Sequence, residues 1–170
     1  MRGILGGVTR FLLVVCGVAA LSLGVTSSAR GQSLEPPAGS RLLVQADGVG
    51  VQVYTCGDGG WTLAGPDAAL FDSTGREIGT HFKGPGWKLA DGSEVHAKGM
   101  MAHPSPETGA IAWLLLSATD HLGAGTLSSV DYVTRTDTRG GVAPSSGCDA
   151  ARRGAEVRMR YSAVYRFYGH

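Results

Sequence analysis

Short stretches of alternating apolar and polar residues, separated by glycine-containing turns, most constrain the fold of this chain. The clearest stretch lies near the C-terminus, where Met159, Tyr161, Ala163, Tyr165 and Phe167 alternate with polar neighbours. A period of two places those five side chains on one face of a β-strand. No segment has the apolar spacing of an amphipathic helix. Glycine supplies 27 of the 170 residues, which suits a chain with many tight turns.

Two hairpins are predicted in the middle of the chain. The first turns at residues 72–75 and the second at Asp91-Gly92, with strand-like sequence on both sides of each turn. Asp and Gly at these positions are typical of turns that join antiparallel strands. The whole pattern predicts an all-β fold, a single antiparallel β-sandwich or barrel of roughly nine short strands.

Three stretches bear on the strand boundaries. Asp47-Gly48 predicts a turn, and Pro66 predicts a break because proline has no N–H to donate to a central ladder. Residues 110–116 are apolar at both odd and even positions, which favours a strand that is buried on both faces. A short helix is the alternative there, because periodicity does not separate the two cases.

The N-terminal residues have the pattern of a secretory signal peptide. Arg2 and Arg10 precede an apolar run over residues 11–25, and small residues follow at 27–29. The run is shorter than the roughly 20 residues of a membrane span. An uncleaved N-terminal anchor is the alternative. The predicted organisation is a signal peptide at 1–29, a linker at 30–40 and a β-rich domain at 41–170, giving a secreted or periplasmic protein with no transmembrane segment after cleavage.

The charge balance excludes some partners. The formal net charge of the full sequence is +1, and removal of Arg2 and Arg10 with the signal peptide changes it to −1. A chain this close to neutral has neither the basic surface of a nucleic-acid-binding protein nor a strong attraction to membranes. We therefore predict no nucleic-acid partner.

Two cysteines remain after signal cleavage, Cys56 and Cys148. In an exported protein an isolated pair of cysteines predicts one disulfide. The alternative is two unpaired or metal-binding thiols, although neither cysteine belongs to a CxxC motif. A disulfide between them would close a long loop and stabilise the fold by about 4–5 kcal/mol in the chain-entropy treatment.

The candidate site lies around a Pro-Gly-Trp corner at residues 85–87. Trp61 and Trp87 adjoin glycine-containing loops and can stack on a flat ligand such as a sugar ring, with Tyr54 as a third aromatic. His81 with Asp91 has the chemistry of a general base, and Ser93 is a nominal nucleophile on a turn, without a Gly-x-Ser-x-Gly elbow. The alternative is that these side chains only fill and connect the sheet. The candidate ligand-binding residues are Trp61, His81, Trp87, Asp91, Ser93 and Arg135.

Four histidines, His81, His96, His103 and His121, lie within 41 residues of sequence. Imidazole nitrogens are ligands for Zn²⁺ and Cu²⁺, but the spacing matches no local metal motif such as H-E-x-x-H. We predict no metal and no cofactor; these histidines are the residues that a metal site would use.

Arg135 precedes a Gly140-Gly141 turn, and together they can present a guanidinium and backbone N–H groups to an anion. The alternative interpretation, which the sequence favours, is that Arg135 pairs with Asp131 or Asp137 and orders the loop.

Several of these segments occur in one order in a known family. The chain resembles the secreted bacterial and fungal proteins grouped as domain of unknown function 3455, over about residues 37–168. The segments that carry the resemblance are 51–56, Trp61 with 66–70, His81, 84–87, 91–93, 113–116, 135–144, 147–149 and 161–163. The resemblance implies no activity.

Three functional hypotheses follow. The first is an exported module that binds a small ligand, a glycan or a cell-envelope component. The second is a secreted hydrolase or metal-dependent enzyme that uses a His/Asp site. The third is a structural envelope protein with no small-molecule site. Convergence of His81, Asp91 and Trp87 on a concave pocket would favour the first two.

Overall fold

The structure, a computed structural model, describes residues 34–170. The predicted signal peptide at 1–29 and the first part of the predicted linker, through residue 33, lie outside the described residues. Up to Ser40 the described chain has no regular structure beyond a turn in which Ser40 N donates to Pro37 O. No helix within residues 34–170 has the length and apolar character needed to cross a membrane.

Eight strands make up the domain. Each pairs antiparallel with the next, and the last pairs with the first, so that the sheet closes into a barrel. The strands are β1 (Arg41–Gly57), β2 (Gly60–Phe71), β3 (Glu77–Phe82), β4 (Gly86–Leu89), β5 (Glu94–His103), β6 (Trp113–Leu122), β7 (Tyr132–Gly140) and β8 (Glu156–Gly169). The all-β antiparallel prediction is confirmed, and of its two forms the structure has the barrel.

The described residues form eight strands, which agrees with the expected count of roughly nine, but two expected interruptions are absent. β1 runs through Asp47 and Gly48, where a turn was predicted, and Gly48 pairs with Leu70. A Cβ atom at Gly48 would lie 2.5 Å from Cε2 of Tyr165. The glycine therefore makes room for a neighbouring aromatic ring instead of forming a turn.

β2 likewise continues through Pro66, which pairs with Gln52 beside a shift of register between Val53 and Tyr54. A local bulge of this kind tolerates a residue that lacks an N–H. The apolar run at 110–116 does contain a strand, but β6 begins only at Trp113. Both predicted hairpins are confirmed, as β2–β3 and β4–β5.

The connections alternate between the two ends of the barrel, because consecutive strands run in opposite directions. We call the end with the β2–β3, β4–β5 and β6–β7 connections the capped end, and the other the open end. At the capped end the 3₁₀ segment Thr126–Ser129 places Leu127 in the core. At the open end the Cys56–Cys148 disulfide joins the end of β1 to the long β7–β8 loop. The predicted disulfide is confirmed.

The solid part of the core occupies the half of the barrel next to the capped end. Its fully buried side chains come from strand segments near that end: Leu70, Val95, Val133 and Phe167, together with Leu127. In β8 the predicted alternation is confirmed, because Tyr161, Ala163, Tyr165 and Phe167 are all buried. These side chains bury apolar surface, which stabilises this half of the barrel.

Candidate ligand-binding site

A cavity of about 430 Å³ occupies the half of the barrel next to the open end. Every strand contributes to its wall, so the cavity lies in the lumen; we call it the lumen cavity. One lining residue from each strand, in order from β1 to β8, is Gln52, Pro66, His81, Trp87, Gly99, Leu116, Arg135 and Tyr165. The β3–β4 turn also lines it, through Lys83, Gly84 and Pro85.

A stack of two rings forms one wall of the lumen cavity. The His81 and Trp87 rings are nearly parallel, at 5°, with centroids 4.6 Å apart. The strand register explains the stack, because His81 and Trp87 face each other across the β3–β4 pair. Tyr165 meets both rings edge-on, at 4.9 Å from His81 and 5.7 Å from Trp87. The wall is therefore flat, aromatic and fixed on three sides.

The hydrogen bonds of His81 determine its tautomer. Its Nδ1 lies 2.8 Å from the carbonyl oxygen of Gly86. A carbonyl only accepts, so Nδ1 carries the hydrogen and donates it. Burial, with a smaller contribution from the Arg135 charge, lowers the pKa of His81 from 6.5 to about 4, against the hydrogen bond to Gly86. His81 is thus neutral at pH 7, with Nε2 as an acceptor.

Arg135, which is partly buried, is one of the cations that line the lumen cavity. Its Nε and Nη2 both donate to the carbonyl oxygen of Ala112, at 3.1 Å and 2.8 Å. The predicted pairing with Asp131 or Asp137 is wrong, because Asp131 pairs with His170 and Asp137 with Arg166. The register explains why: Arg135 belongs to the inward-facing parity of β7, as Val133 does.

Two buried N–H groups on side chains of the lumen cavity have no hydrogen-bond partner among residues 34–170. They are Nε2 of Gln52 and Nε1 of Trp87. Each side chain is only 1% exposed. A buried donor without an acceptor costs about 1–3 kcal/mol, so most buried polar groups in folded proteins are partnered. Two other such groups in residues 34–170, Ser40 Oγ and Trp113 Nε1, belong to residues that do not line the cavity.

The phenol groups of the lumen are neutral. Burial raises the pKa of Tyr165, and it also raises the pKa values of Tyr161 and Tyr54. The Tyr161 and Tyr165 hydroxyls lie 3.2 Å apart, and the Tyr54 hydroxyl donates to the Gly141 carbonyl at 2.7 Å. These tyrosines therefore supply polarity without charge.

Asp91 and Ser93, two of the predicted site residues, lie at the capped end and not in the lumen cavity. Asp91 Oδ1 accepts from the Ser93 hydroxyl at 2.6 Å, and Oδ2 accepts from Thr126 N at 2.8 Å. The Ser93 hydroxyl in turn accepts from Leu127 N at 3.0 Å. These bonds lower the pKa of Asp91, first through Ser93 and then through Thr126. The two residues hold the 3₁₀ segment over the barrel, and the structure does not bring Asp91 to His81.

Trp61 is at the open end but does not line the lumen cavity. Its Nε1 donates to the Ser146 carbonyl at 3.0 Å, which ties β2 to the β7–β8 loop close to the disulfide. Of the six predicted ligand-binding residues, the structure brings three together around the cavity: His81, Trp87 and Arg135.

The four central histidines do not converge. His96 Nε2 lies 2.7 Å from Glu94 Oε1, and His121 Nε2 lies 2.7 Å from the Val130 carbonyl. His103 pairs with Trp113 at the far end of β5, and His81 is in the lumen. Within residues 34–170 no three His, Cys, Asp or Glu side chains are placed to hold a metal ion.

Sequence reasoning missed Gln52 and Tyr165 as site residues. A signal for Gln52 was present, because it shares the parity of Tyr54 and Cys56, which are both buried. The valines of the alternate parity point outward, and Val49 is exposed. Tyr165 belongs to the predicted inward face of β8, but only the closed barrel places it opposite His81.

A family model described as "Protein of unknown function (DUF3455)" matches residues 37–169. The chain belongs to the DUF3455 family. No curated protein and no solved structure matches it. The matched span contains all eight strands and every residue that lines the lumen cavity, so the barrel and its cavity both belong to the DUF3455 domain.

Proposed function

We propose that this DUF3455 protein is an exported binding protein that takes one small ligand into the barrel lumen. The observation that carries the proposal is the cavity of about 430 Å³ to which all eight strands contribute. An eight-stranded barrel has an interior just wide enough for side chains or for one small ligand. Here side chains fill one half and leave the other half hollow.

The lining has the composition of a small-molecule site. Ligand pockets of about 300–1,000 Å³ have mainly apolar and aromatic walls with a few placed polar groups. His81, Trp87 and Tyr165 form such a wall, and Gln52 and Arg135 supply polar groups. Leu63, at the mouth, is 52% exposed and extends the apolar surface outward.

The dimensions limit the kind of partner. A lumen of this size accommodates a single small molecule or one terminal unit of a cell-envelope component, such as a sugar. It does not accommodate the middle of a long glycan chain. The aromatic rings are inside the barrel, so an open stacking platform of Trp61 and Trp87 is not the recognition surface.

Export is proposed from two observations. Residues 1–29 have the pattern of a secretory signal peptide. The domain contains the Cys56–Cys148 disulfide, and disulfides persist mainly in secreted and periplasmic proteins.

No observation favours the hydrolase hypothesis. A catalytic histidine base is usually oriented by a third group such as a carboxylate. Nδ1 of His81 bonds instead to a backbone carbonyl, and Ser93 is engaged at the opposite end of the barrel.

The test is to fill the lumen at a position where a new side chain has room. A Cβ atom at Gly99 would have no heavy atom within 4 Å, and Gly99 lines the cavity. We expect the neutral apolar dye N-phenyl-1-naphthylamine to bind near one per chain, with a rise in its fluorescence. Gly99→Trp is expected to abolish that binding.

Gly59→Trp is the matched control. Gly59 also has open space around its Cβ, but it lies in the β1–β2 turn outside the cavity. The control is expected to bind the dye as the unmodified protein does. If both variants bind the dye equally, or if the protein binds neither the dye nor 2-naphthaleneacetate, lumen binding is contradicted.

A further inference from the structure

The lumen cavity has an unbalanced charge. Two of its lining residues are cations, Arg135 and Lys83, and none of its lining residues within the described chain is an aspartate or glutamate. Neither cation forms an ion pair with a carboxylate in residues 34–170. In a low-dielectric interior, an unpaired positive charge favours an anionic ligand.

The charge of Arg135 acts inside the lumen. It adds to the effect of burial in lowering the pKa of His81, and it opposes the burial that raises the pKa values of Tyr165, Tyr54 and Tyr161. Two of its nitrogens, Nε and Nη2, are fixed by the Ala112 carbonyl. That bond and a further one to the Tyr165 hydroxyl hold the guanidinium in place, and its five N–H donors outnumber these acceptors.

The two buried donors without acceptors are independent of this charge. Gln52 Nε2 and Trp87 Nε1 belong to side chains that line the same cavity as Arg135. The nitrogens of Arg135, Gln52 and Trp87 can only donate hydrogen bonds. A ligand group with several lone pairs would accept from all three.

We propose that the lumen recognises the carboxylate of a small organic acid whose body is flat and apolar. The head group would accept from Arg135, Gln52 and Trp87, and the body would lie against the His81–Trp87 stack. A carboxylate offers about four lone-pair sites in one plane, which suits a guanidinium and two neutral N–H donors. This inference rests on the proposed lumen binding and adds the chemical class of the ligand.

A single negative charge fits this lining better than a dianion does. The deeper polar groups are one guanidinium and two uncharged donors, and Lys83 is exposed at the mouth. His81 is neutral, so it adds an acceptor and no charge. Phosphate monoesters, with about −1.5 to −2 charges at pH 7, would be less well compensated.

The experiment compares two probes with the same ring system, the anion 2-naphthaleneacetate and its neutral amide 2-naphthaleneacetamide. We expect calorimetric titration to give about 10- to 100-fold tighter binding of the acid, the range expected for a charge-assisted hydrogen bond. Arg135→Gln is expected to weaken the acid to the level of the amide and to leave the amide unchanged. Arg160→Gln is the matched control, because Arg160 is an exposed arginine on the outer face of β8.

Two further measurements separate recognition from folding. Arg135→Lys keeps the positive charge and is expected to retain most of the preference for the acid, although it loses the two bonds to Ala112. Bound acid is expected to shift the indole N–H signal of Trp87 in a proton–nitrogen correlation spectrum, whereas the signals of Trp61 and Trp113 stay in place.

Each outcome has a defined meaning. If both probes bind equally and Arg135→Gln changes neither, the carboxylate inference is overturned while lumen binding stands. If 2-naphthyl phosphate binds more tightly than 2-naphthaleneacetate, the head group is phosphoryl and the assignment to carboxylate is overturned. If neither these probes nor N-phenyl-1-naphthylamine binds, the proposed function itself fails.

Discussion

Two buried polar sites, one in each half of the barrel, differ in their hydrogen bonding. At the capped end the Ser93 hydroxyl donates to Asp91 and accepts from Leu127 N, so that a buried polar atom completes the fold. Around the lumen cavity Gln52 Nε2 and Trp87 Nε1 are buried with no partner in residues 34–170. Both halves belong to one sheet, and only the packing of their interiors differs.

Under the proposed lumen binding, this difference separates stability from function within one small domain. A filled interior gains the free energy of apolar burial, and a hollow one loses it. A cavity that also holds unpartnered donors is doubly unfavourable for the empty protein. Such features are expected where a ligand restores the missing contacts.

The largest expected effect tests whether the capped half carries the stability. Phe167→Ala removes a fully buried ring, and we expect it to lower the free energy of unfolding by about 3–5 kcal/mol. Urea denaturation followed by circular dichroism measures the change. Leu63→Ala, an apolar truncation at the mouth of the hollow half, is expected to change it by less than about 0.5 kcal/mol. Equal losses in the two variants would contradict the division.

The second prediction concerns how the free energy of unfolding depends on pH through His81 in the hollow half. The pKa of His81 is about 4 in the folded protein, below its ordinary 6.5, so between these values the unfolded chain binds the extra proton. Stability is therefore complete above pH 6.5 and falls toward pH 4. The expected loss is about 1.4 kcal/mol per pH unit, or about 3 kcal/mol in all.

Urea denaturation at pH 7, 5.5 and 4 measures this slope, and His81→Phe, which keeps a flat ring without a titrating group, should reduce it. The capped half is expected to lose stability at a lower pH than the hollow half. The pKa of Asp91 is lowered by its bonds to Ser93 and Thr126, so its contribution is lost only at more acidic pH, below about 3.8. An unchanged slope in His81→Phe would show that other groups cause the acid sensitivity.

Much of the fold could be predicted because its signals are local. Alternation identified the inward face of β8, turn residues identified both central hairpins, and the cysteine count identified the disulfide. The misplaced interruptions at Gly48 and Pro66 have a non-local cause. Gly48 faces Tyr165 from a distant strand, and Pro66 lies beside a bulge.

The candidate site was harder to predict because closeness in sequence is misleading in a barrel. His81 and Asp91 are ten residues apart, but β4 lies between them and has only four residues, Gly86–Leu89. A turn lies at each end of that strand, so the His81 and Asp91 side chains lie toward opposite ends of the barrel. Gln52, Arg135 and Tyr165 are distant in sequence and meet only because the sheet closes.

The smallest expected effect is a gain in the free energy of unfolding, whereas most substitutions of buried residues cause a loss. Gln52→Met replaces a buried amide, whose Nε2 has no partner, by an apolar chain of similar length. Removing an unsatisfied donor relieves its desolvation cost, so we expect the free energy of unfolding to rise by about 1 kcal/mol. Binding of 2-naphthaleneacetate should weaken in the same variant, because the ligand then lacks one donor.

Ser93→Ala is the matched substitution at the capped end, since Ser93 is equally buried but fully engaged. There we expect a loss of about 1–3 kcal/mol, because Leu127 N is left without its acceptor. Opposite signs for two buried polar-to-apolar changes would establish that one half of the barrel is built for stability and the other for a ligand. A loss of stability in Gln52→Met as large as that in Ser93→Ala would mean that the amide has a structural partner, and the argument for a ligand acceptor at Gln52 would fail.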